Sequence, residues 1–273
     1  MKRVLPILLT VFAVVMLNST EGWSADFHKG LDAQKKGDHA TALREWRPLA
    51  EQGLAEAQYN LGLMYQFGTG VLQDNKEAVK WYRLAAELGL AQAESNLAVM
   101  YYNGWGEPQD HQEAMKWWKL AAEQGYVEAQ YNLGVMYHEG HGFGIPQDDK
   151  EAVKWFQLAA EQGLAEAQNN LGLMYQKGVG VLQDDKEAVK WYQLAAEQGY
   201  VEAQSNLGFM YFNGMEIVQN YVRAHMWWDI VVSQGDEDAK SNRDKVGNLM
   251  TSSQIEEAQT LARECVKNDY KGC

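Results

Sequence analysis

Apolar and small residues recur at helical spacing along this chain, in segments separated by polar turns. In the segment 54–67 they stand at Ala57, Leu61 and Tyr65, four residues apart, which places them on one face of an α-helix. We call this segment helix A. A second amphipathic segment, 77–88, follows a glycine-containing turn and is called helix B. The pattern predicts a helical hairpin.

This hairpin occurs five times. The phrase Gly53-Leu-Ala-Glu-Ala-Gln-Tyr-Asn-Leu-Gly-Leu-Met-Tyr65 returns almost unchanged, with spacings of 36, 36, 38 and 36 residues between its first glycines. The one longer copy has two extra residues in the loop that begins at Gly140. Such a period is typical of solenoids, in which each helix pair buries its apolar face against its neighbours. We therefore predict an all-α fold, an α/α superhelical solenoid of about seven antiparallel helix pairs.

The segments outside the repeats predict a leader and two caps. Residues 1–24 combine Lys2 and Arg3 with a short apolar run and a stretch of small residues, which is typical of a signal peptide cleaved near residue 25. An uncleaved membrane anchor is the alternative, although the run is shorter than the roughly 20 residues of a spanning helix. We assign 26–52 to an N-terminal capping helix pair, 53–234 to the five repeats, and 235–273 to a C-terminal capping pair with a cysteine tail. The expected location is periplasmic or secreted, with no integral membrane segment after signal removal.

The ends of the helices carry recognisable signals. Asp74 and Glu77 have the spacing of a capping box before helix B, and Gly89 is placed to end that helix in the left-handed conformation. A similar box, Thr251 with Gln254, precedes the last predicted helix. Asp110 with Glu113, Asp148 with Glu151, and Asp184 with Glu187 repeat the first box, and Asn220 with Arg223 replaces it in the fifth copy.

A tryptophan and a glycine recur inside the hairpin. We predict that the tryptophans form the inward stripe of helix B, because each can bury roughly 150–250 Å²; stacking on a cofactor or sugar is the alternative. They are Trp81, Trp117, Trp155, Trp191 and Trp227. Gly62 of helix A recurs in four of the five copies, which predicts close approach of a neighbouring helix. In the N-terminal cap, Trp46 aligns with Tyr82 rather than with Trp81.

The net charge limits the classes of partner, and the cysteines suggest a disulfide. The formal net charge is −13, which disfavours nucleic acid and a polybasic membrane-surface site. The two cysteines, Cys265 and Cys273, lie near the C-terminus, and an oxidising compartment favours a disulfide between them. Two free thiols are the alternative.

Catalytic signals are weak. The chain has no Ser-x-x-Lys, and His138-Glu-Gly-His141 does not have the His-Glu-x-x-His spacing that places two imidazoles one helical turn apart. The Gly-x-Gly turns recur between helices rather than after a strand, so turn geometry explains them. We predict no catalytic residues, no metal and no cofactor.

The unit Gly-x-x-x-Ala-x-x-Asn-Leu-Gly-x-Met-Tyr…Gly-x-Gly-Val…Asp-x-x-x-Ala-x-x-Trp-Tyr-x-x-Ala-Ala resembles Sel-1-like repeats (SLR), relatives of the tetratricopeptide repeat, over about residues 26–250. The resemblance implies an adaptor or scaffold with helix A on the concave wall, and bacterial members are often exported. One secreted branch of that family has a cysteine pair in each repeat and is linked to penicillin binding and weak β-lactam hydrolysis. This chain lacks those cysteines, so we do not expect that activity.

Comparison among the five copies predicts the binding face. Three positions of helix A vary on one side, and large residues there are costly unless they meet a partner. We predict partner contacts at Tyr59, Tyr102, Tyr131, His138 and Phe212; crowding against a neighbouring unit is the alternative. One asparagine of helix A is constant in all five copies. It is predicted either to hydrogen-bond to the backbone between adjacent helices or, as the resemblance implies, to bind a peptide. Its copies are Asn60, Asn96, Asn132, Asn170 and Asn206.

Two functions from different classes follow. We favour an exported, non-catalytic scaffold that binds a peptide or protein on its concave face. The alternative is an envelope enzyme or a peptidoglycan-binding accessory subunit, in which case a glycan would be the ligand. No clustered nucleophile and base recurs at matching offsets in the sequence, which favours the scaffold.

Overall fold

The computed structural model describes residues 24–140, 144–215 and 218–273. The predicted signal peptide therefore lies, except for its last residue, outside the described residues, as does His141. Within the described ranges the chain forms fourteen helices, and none of these residues lies in a strand. The predicted all-α helical-repeat solenoid is confirmed.

The helices follow the predicted hairpins closely. Each of the five repeats contains one helix A and one helix B, and a shorter pair precedes them. The helices are α1 (24–35), α2 (His39–Glu51), α3 (Ala55–Phe67), α4 (Asn75–Glu87), α5 (Ala91–Asn103), α6 (His111–Glu123), α7 (Val127–Glu139), α8 (Asp149–Glu161), α9 (Ala165–Lys177), α10 (Asp185–Ala196), α11 (Val201–Asn213), α12 (Tyr221–Ser233), α13 (Glu237–Gly247) and α14 (Ser252–Lys267).

The chain divides into two compact units, residues 1–126 and 127–273. In the first unit α3 packs on α4 and α5 on α6, while α2 contacts α3 and α4 contacts α5. In the second unit the same order joins α7 to α8, α9 to α10 and α11 to α12. The C-terminal cap differs from a repeat, because α13 and α14 both pack against α12.

Aspartate caps begin the helices of type B as predicted, but the expected reciprocal bond is replaced by an ion pair. Oδ1 of Asp74 accepts hydrogen bonds from the backbone N–H groups of Lys76 and Glu77. The carboxylate of Glu77 lies 3.2 Å from Nζ of Lys80, one turn further along. Equivalent pairs are Glu113 with Lys116, Glu151 with Lys154, and Glu187 with Lys190. The complete capping box occurs at Thr251 and Gln254.

The predicted inward stripe of tryptophans is confirmed at three of its five positions. Trp81, Trp191 and Trp227 are buried, but Trp117 and Trp155 are only half-buried. The next position along helix B is buried in every repeat, because its side chain points between the two helices of its own hairpin. It holds Tyr82, Trp118, Phe156, Tyr192 and Trp228.

Gly62 and its equivalents make room for that second aromatic residue. A Cβ atom on Gly172 would lie 2.8 Å from the ring of Tyr192, and one on Gly208 would lie 2.5 Å from Nε1 of Trp228. The predicted close approach is therefore real, and its partner is a ring of the same hairpin. In the N-terminal cap Gly30 faces Trp46 in the same way, as the alignment of Trp46 with Tyr82 predicts.

Candidate functional site

The predicted aromatic contacts lie on the helix A surface, half-buried rather than fully exposed. Each ring packs against the buried aromatic of helix B in its own repeat. The ring centroids are 5.9 Å apart for Tyr59 and Tyr82, 5.4 Å for Tyr102 and Trp118, 5.8 Å for Tyr131 and Phe156, and 5.9 Å for Phe212 and Trp228. Packing within the hairpin thus accounts for part of the burial of these side chains. Their contact with a partner stays a prediction.

The residue at the third variable position follows the identity of the helix B aromatic. Where helix B has a tyrosine, helix A has a glutamine that accepts its hydroxyl: Tyr82 donates to Oε1 of Gln66 at 2.5 Å, and Tyr192 to Oε1 of Gln176 at 2.8 Å. Where helix B has a tryptophan, an aromatic residue stacks on it instead. Part of the variation on this face is therefore explained by internal pairing. The sequence already shows this pairing, because a glutamine stands 16 residues before the tyrosine of helix B in both repeats.

Repeat 3 departs from this rule. Its helix B residue is Phe156, which has no hydroxyl, and the residue opposite is His138. The imidazole of His138 is exposed, and its Nδ1 lies 2.6 Å from Oδ1 of Asp149. A histidine held at one nitrogen by a carboxylate presents its other nitrogen to a different partner.

A cavity of about 320 Å³ opens beside Phe156. Phe156, Leu173 and Met174 contribute apolar surface, and His138 and Asn170 contribute polar groups. The structure thus brings two of the predicted contact residues, from α7 and α9, to the lining of one cavity.

Three tyrosines at or beneath this face have raised pKa values. Burial raises the pKa of Tyr82 and of Tyr192 well above the usual value. Burial also raises the pKa of Tyr131, although a hydrogen bond from Asn170 works in the opposite direction. Phenols with raised pKa values keep their protons near neutral pH, so these three hydroxyls are neutral hydrogen-bonding groups.

One of the constant asparagines bonds to a side chain of the preceding repeat, and two others interact with a tyrosine there. Nδ2 of Asn206 donates to Oδ1 of Asn169 at 2.9 Å. Asn96 lowers the pKa of Tyr82, and Asn170 that of Tyr131, each against the larger effect of burial. Each interaction links an asparagine to the preceding repeat, and for Asn206 the acceptor is a side chain rather than the backbone.

Sequence reasoning missed a second polar connection between hairpins. Each helix A has a buried amide or carboxyl residue one position after the constant alanine. Nε2 donates to a carbonyl of the preceding helix B in the pairs Gln58 with Ala50, Gln168 with Ala160, and Gln204 with Ala196. The same side chain accepts from the residue that ends its own helix B, in the pairs Gln124 to Glu94, Gln162 to Gln130, Gln198 to Gln168, and Gln234 to Gln204. A glutamine or glutamate follows the constant alanine in all five copies, and this recurrence could have predicted a structural role.

The described residues hold no group of three or more His, Cys, Asp or Glu arranged to bind a metal ion. Among these same residues, no helix is long and apolar enough to cross a membrane. A disulfide joins Cys265 to Cys273.

Tandem helical hairpins that pack against one another within each unit define an α-helical repeat protein. A family model of the Sel1 repeat matches residues 55–90, 91–126, 127–164, 165–200 and 201–236. The chain belongs to the Sel1 repeat family.

The chain is also similar to several solved structures. A Sel1 repeat protein from Oxalobacter formigenes is 31% identical, with 87% of this chain and 95% of that one covered and a TM-score of 0.74. A protective antigen with an SLR fold, present in uropathogenic Escherichia coli strains, is 26% identical over 91% of this chain and 70% of its own, with a TM-score of 0.44. The immunity protein Pa5087 from Pseudomonas aeruginosa is 22% identical over 80% of this chain and 83% of its own, with a TM-score of 0.43. None of the curated proteins compared with the chain matches it.

Proposed function

We propose that this chain is an exported, non-catalytic scaffold that binds a peptide or protein segment on the helix A surface of its repeats. Sel1 repeats are typical of protein–protein interaction scaffolds, which supports the general class. The observation that carries the specific proposal is the cavity beside Phe156, which both His138 and Asn170 line.

The chemistry of this cavity suits one apolar side chain of an extended segment. Its apolar part, from Phe156, Leu173 and Met174, removes such a side chain from water. His138, Asn170 and Lys177 lie at the same cavity and can hydrogen-bond to the main chain or to a polar neighbour of the buried residue. A few polar groups around an apolar pocket fix orientation, while the apolar contact supplies most of the affinity.

Export is part of the same proposal. The pattern of residues 1–24 supports it, and so does the Cys265–Cys273 disulfide, because disulfides persist in oxidising compartments. Mass spectrometry of the protein from its native host tests this point. We expect an N-terminus near Ala25 or Asp26, and an intact Met1 in a soluble cytoplasmic fraction would contradict export.

The binding proposal is tested by affinity capture from envelope extracts of the host, with wild-type protein and two matched leucine variants. Leu173→Arg places a long charged side chain in the cavity, whereas Leu158→Arg makes the same change at an exposed leucine of α8 outside the cavity lining. We expect Leu173→Arg to abolish capture of the specific partner and Leu158→Arg to leave it intact. Thermal melts establish that both variants are folded.

Replacing Tyr102 and His138 together by alanine extends the test along the face, with Lys116→Ala and Lys119→Ala on helix B as controls. Loss of capture in the helix B variants alone would move the site to the other side of the hairpins. Capture of peptidoglycan fragments instead of a protein would favour the accessory-subunit alternative.

A further inference from the structure

The last six residues of the chain fold back onto the second unit. Helix α14 ends at Lys267, and residues 268–273 turn so that Cys273 bonds to Cys265, one of the buried residues of α14. Tyr270 and Cys273 pack at the edge of the apolar cluster that α10, α11, α12 and α14 share. This tail therefore covers part of repeats 4 and 5.

Tyr270 covers a glycine that is open in every other copy. Gly199 ends helix B of repeat 4 with φ at +82°, and a Cβ atom on it would lie 3.0 Å from Cε2 of Tyr270. The same construction at the equivalent glycines meets nothing within 4 Å. They are Gly53, Gly89, Gly125, Gly163 and Gly235. The contact with the tail is thus specific to one repeat.

A second feature of the repeats is altered at the same place. Arg223 stands where the other helices B have the glutamate that pairs with a lysine one turn later. Its guanidinium donates a hydrogen bond to the carbonyl oxygen of Cys273 and lies 5.6 Å from the centroid of Tyr211. Arg223 and the covered Gly199 both depart from the repeat pattern, and both contact the tail.

The backbone of the tail is strained. Asp269 and Tyr270 have φ values of +49° and +63°, and they are the non-glycine residues with positive φ among those the structure describes. Side chains with a Cβ disfavour this region, and hydrogen bonds from the backbone N–H of Asp269 to Val266 and of Tyr270 to Cys265 hold the turn at the end of α14. The disulfide closes the chain around them, since it joins the residues on either side.

We propose that the Cys265–Cys273 disulfide is a redox latch that holds residues 268–273 over a surface of repeats 4 and 5. A dithiol reductant opens it: one thiolate attacks a sulfur of the bond and forms a mixed disulfide, and the second thiolate of the reductant displaces the cysteine. Two electrons pass from the dithiol to the pair, two protons end on Cys265 and Cys273, and the reductant becomes a disulfide. The strained turn then relaxes, and Gly199, Tyr211 and Arg223 become exposed to solvent. This inference does not depend on the proposed function of the cavity.

Hydrogen exchange measured by mass spectrometry on the purified protein tests the latch, with and without dithiothreitol. We expect amides of 268–273 to exchange on the order of tenfold faster after reduction, while α10, α11 and α12 keep their protection. Cys273→Ser should reproduce the reduced behaviour without any reductant. Unchanged exchange of the tail after reduction would overturn the proposal, and so would a loss of protection throughout α12 and α14, because the bond would then hold the whole cap together.

Asp269→Gly isolates the strain, since glycine adopts positive φ without a steric penalty and leaves the Tyr270 ring in place. We expect the tail of this variant, once reduced, to exchange more slowly than the reduced wild-type tail. Equal exchange in the two reduced proteins would contradict the idea that strain drives release. Arg223→Gln in the oxidised state is the control, and its tail should stay protected because the covalent bond remains.

Discussion

The ring of Tyr82 lies directly against Gly62: a Cβ atom placed on this glycine would be 2.5 Å from Cδ1 of the ring. Gly62 belongs to helix A and Tyr82 to helix B of the same hairpin, so this contact sets how closely the two helices approach. The same relationship joins Gly134 to Phe156, Gly172 to Tyr192 and Gly208 to Trp228. It is a packing constraint repeated along the chain.

Gly62→Ala should therefore destabilise the protein, although alanine is the better helix former by roughly 0.5–1 kcal/mol. Overpacking of this kind typically costs about 1–3 kcal/mol, and Tyr82 is fully buried and has no free direction in which to move. Denaturant melts followed by circular dichroism measure the change. Gly247→Ala is the matched control, because a Cβ there would meet His225 at an ordinary 3.7 Å. A stabilised Gly62→Ala variant would contradict the packing argument.

Trp118→Ala should be more destabilising than Trp117→Ala, although the two tryptophans are adjacent in α6. Trp118 is 3% exposed and packs between the helices of its hairpin, whereas Trp117 is half-buried. Truncation of a buried tryptophan typically costs about 3–5 kcal/mol through the cavity it leaves. Equal losses in the free energy of unfolding would contradict the prediction, because they would show that Trp117 contributes as much to core packing as Trp118.

The fold was predictable because the period of the repeat fixes which residues share a helix face. Gly53 and its copies end helices, Asp74 caps one, and Gly62 permits close packing, so each of these signals acts locally. The inward stripe was predicted too narrowly, because Trp81 is buried as expected and the adjacent Tyr82 is buried as well. Periodicity alone does not decide which of two adjacent rings faces the partner helix.

The candidate site was less predictable, because variation has two causes that a single sequence does not separate. Gln66 and Gln176 vary with the tyrosine of helix B, which is a long-range contact within the hairpin. His138 stands at the position of these glutamines, opposite Phe156, which has no hydroxyl to donate. The buried glutamines were overlooked because polar residues in an amphipathic helix are normally assigned to solvent.

Leu88→Gln should stabilise the first repeat. Oε1 of Gln58 is buried without a hydrogen-bond partner among the described residues, whereas the corresponding acceptors in later repeats receive a bond from the glutamine that ends their helix B. Leu88 occupies that position in repeat 1 and is 59% exposed, so little apolar burial is lost on replacement. A new hydrogen bond contributes about 0.5–1.5 kcal/mol. Denaturant melts should show this gain for Leu88→Gln and none for Leu88→Ala.

Glu94→Gln should stabilise the protein at neutral pH by about 1–2 kcal/mol, the scale of a satisfied buried hydrogen bond. Glu94 is 3% exposed and stands where Gln58, Gln168 and Gln204 donate to a backbone carbonyl, which a carboxylate does not do. Burial raises the pKa of Glu94 above 4.5, although the bond from Gln124 acts in the opposite direction. The neutral carboxyl of Glu94 therefore contributes to stability below the pKa of the unfolded chain. This contribution is lost as pH rises through the pKa of the folded chain.

The advantage of Glu94→Gln should consequently shrink between pH 7 and pH 4, which thermal melts at the two values measure. Glu123→Gln, at an exposed carboxylate of α6, is the control and should change little at either pH. A gain for Glu94→Gln that is independent of pH would indicate that the charge of Glu94 is not what destabilises the site.

The C-terminal cap should loosen in mild acid because of His225. This histidine is buried in α12, where the other helices B have valine or methionine, and its Nδ1 has no hydrogen-bond partner among the described residues. Burial lowers the pKa of His225 below 6.5, Arg243 lowers it further, and Asp229 and Asp244 act in the opposite direction. The neutral form is therefore the one that packs against α13.

Because the pKa of His225 is lower in the folded chain than in the unfolded chain, the unfolded state takes up the proton first. The contribution of the buried neutral imidazole is present above the unfolded pKa and is lost as pH falls through the folded pKa, by about 1.4 kcal/mol for each unit of difference. Hydrogen exchange at pH 7.5 and pH 5, corrected for the intrinsic rate, should show α13 losing protection in acid while α7 to α10 stay protected. His225→Val should remove this dependence on pH, whereas His28→Gln, at an exposed histidine, should keep it. Equal acid sensitivity in wild type and His225→Val would assign the effect to another group.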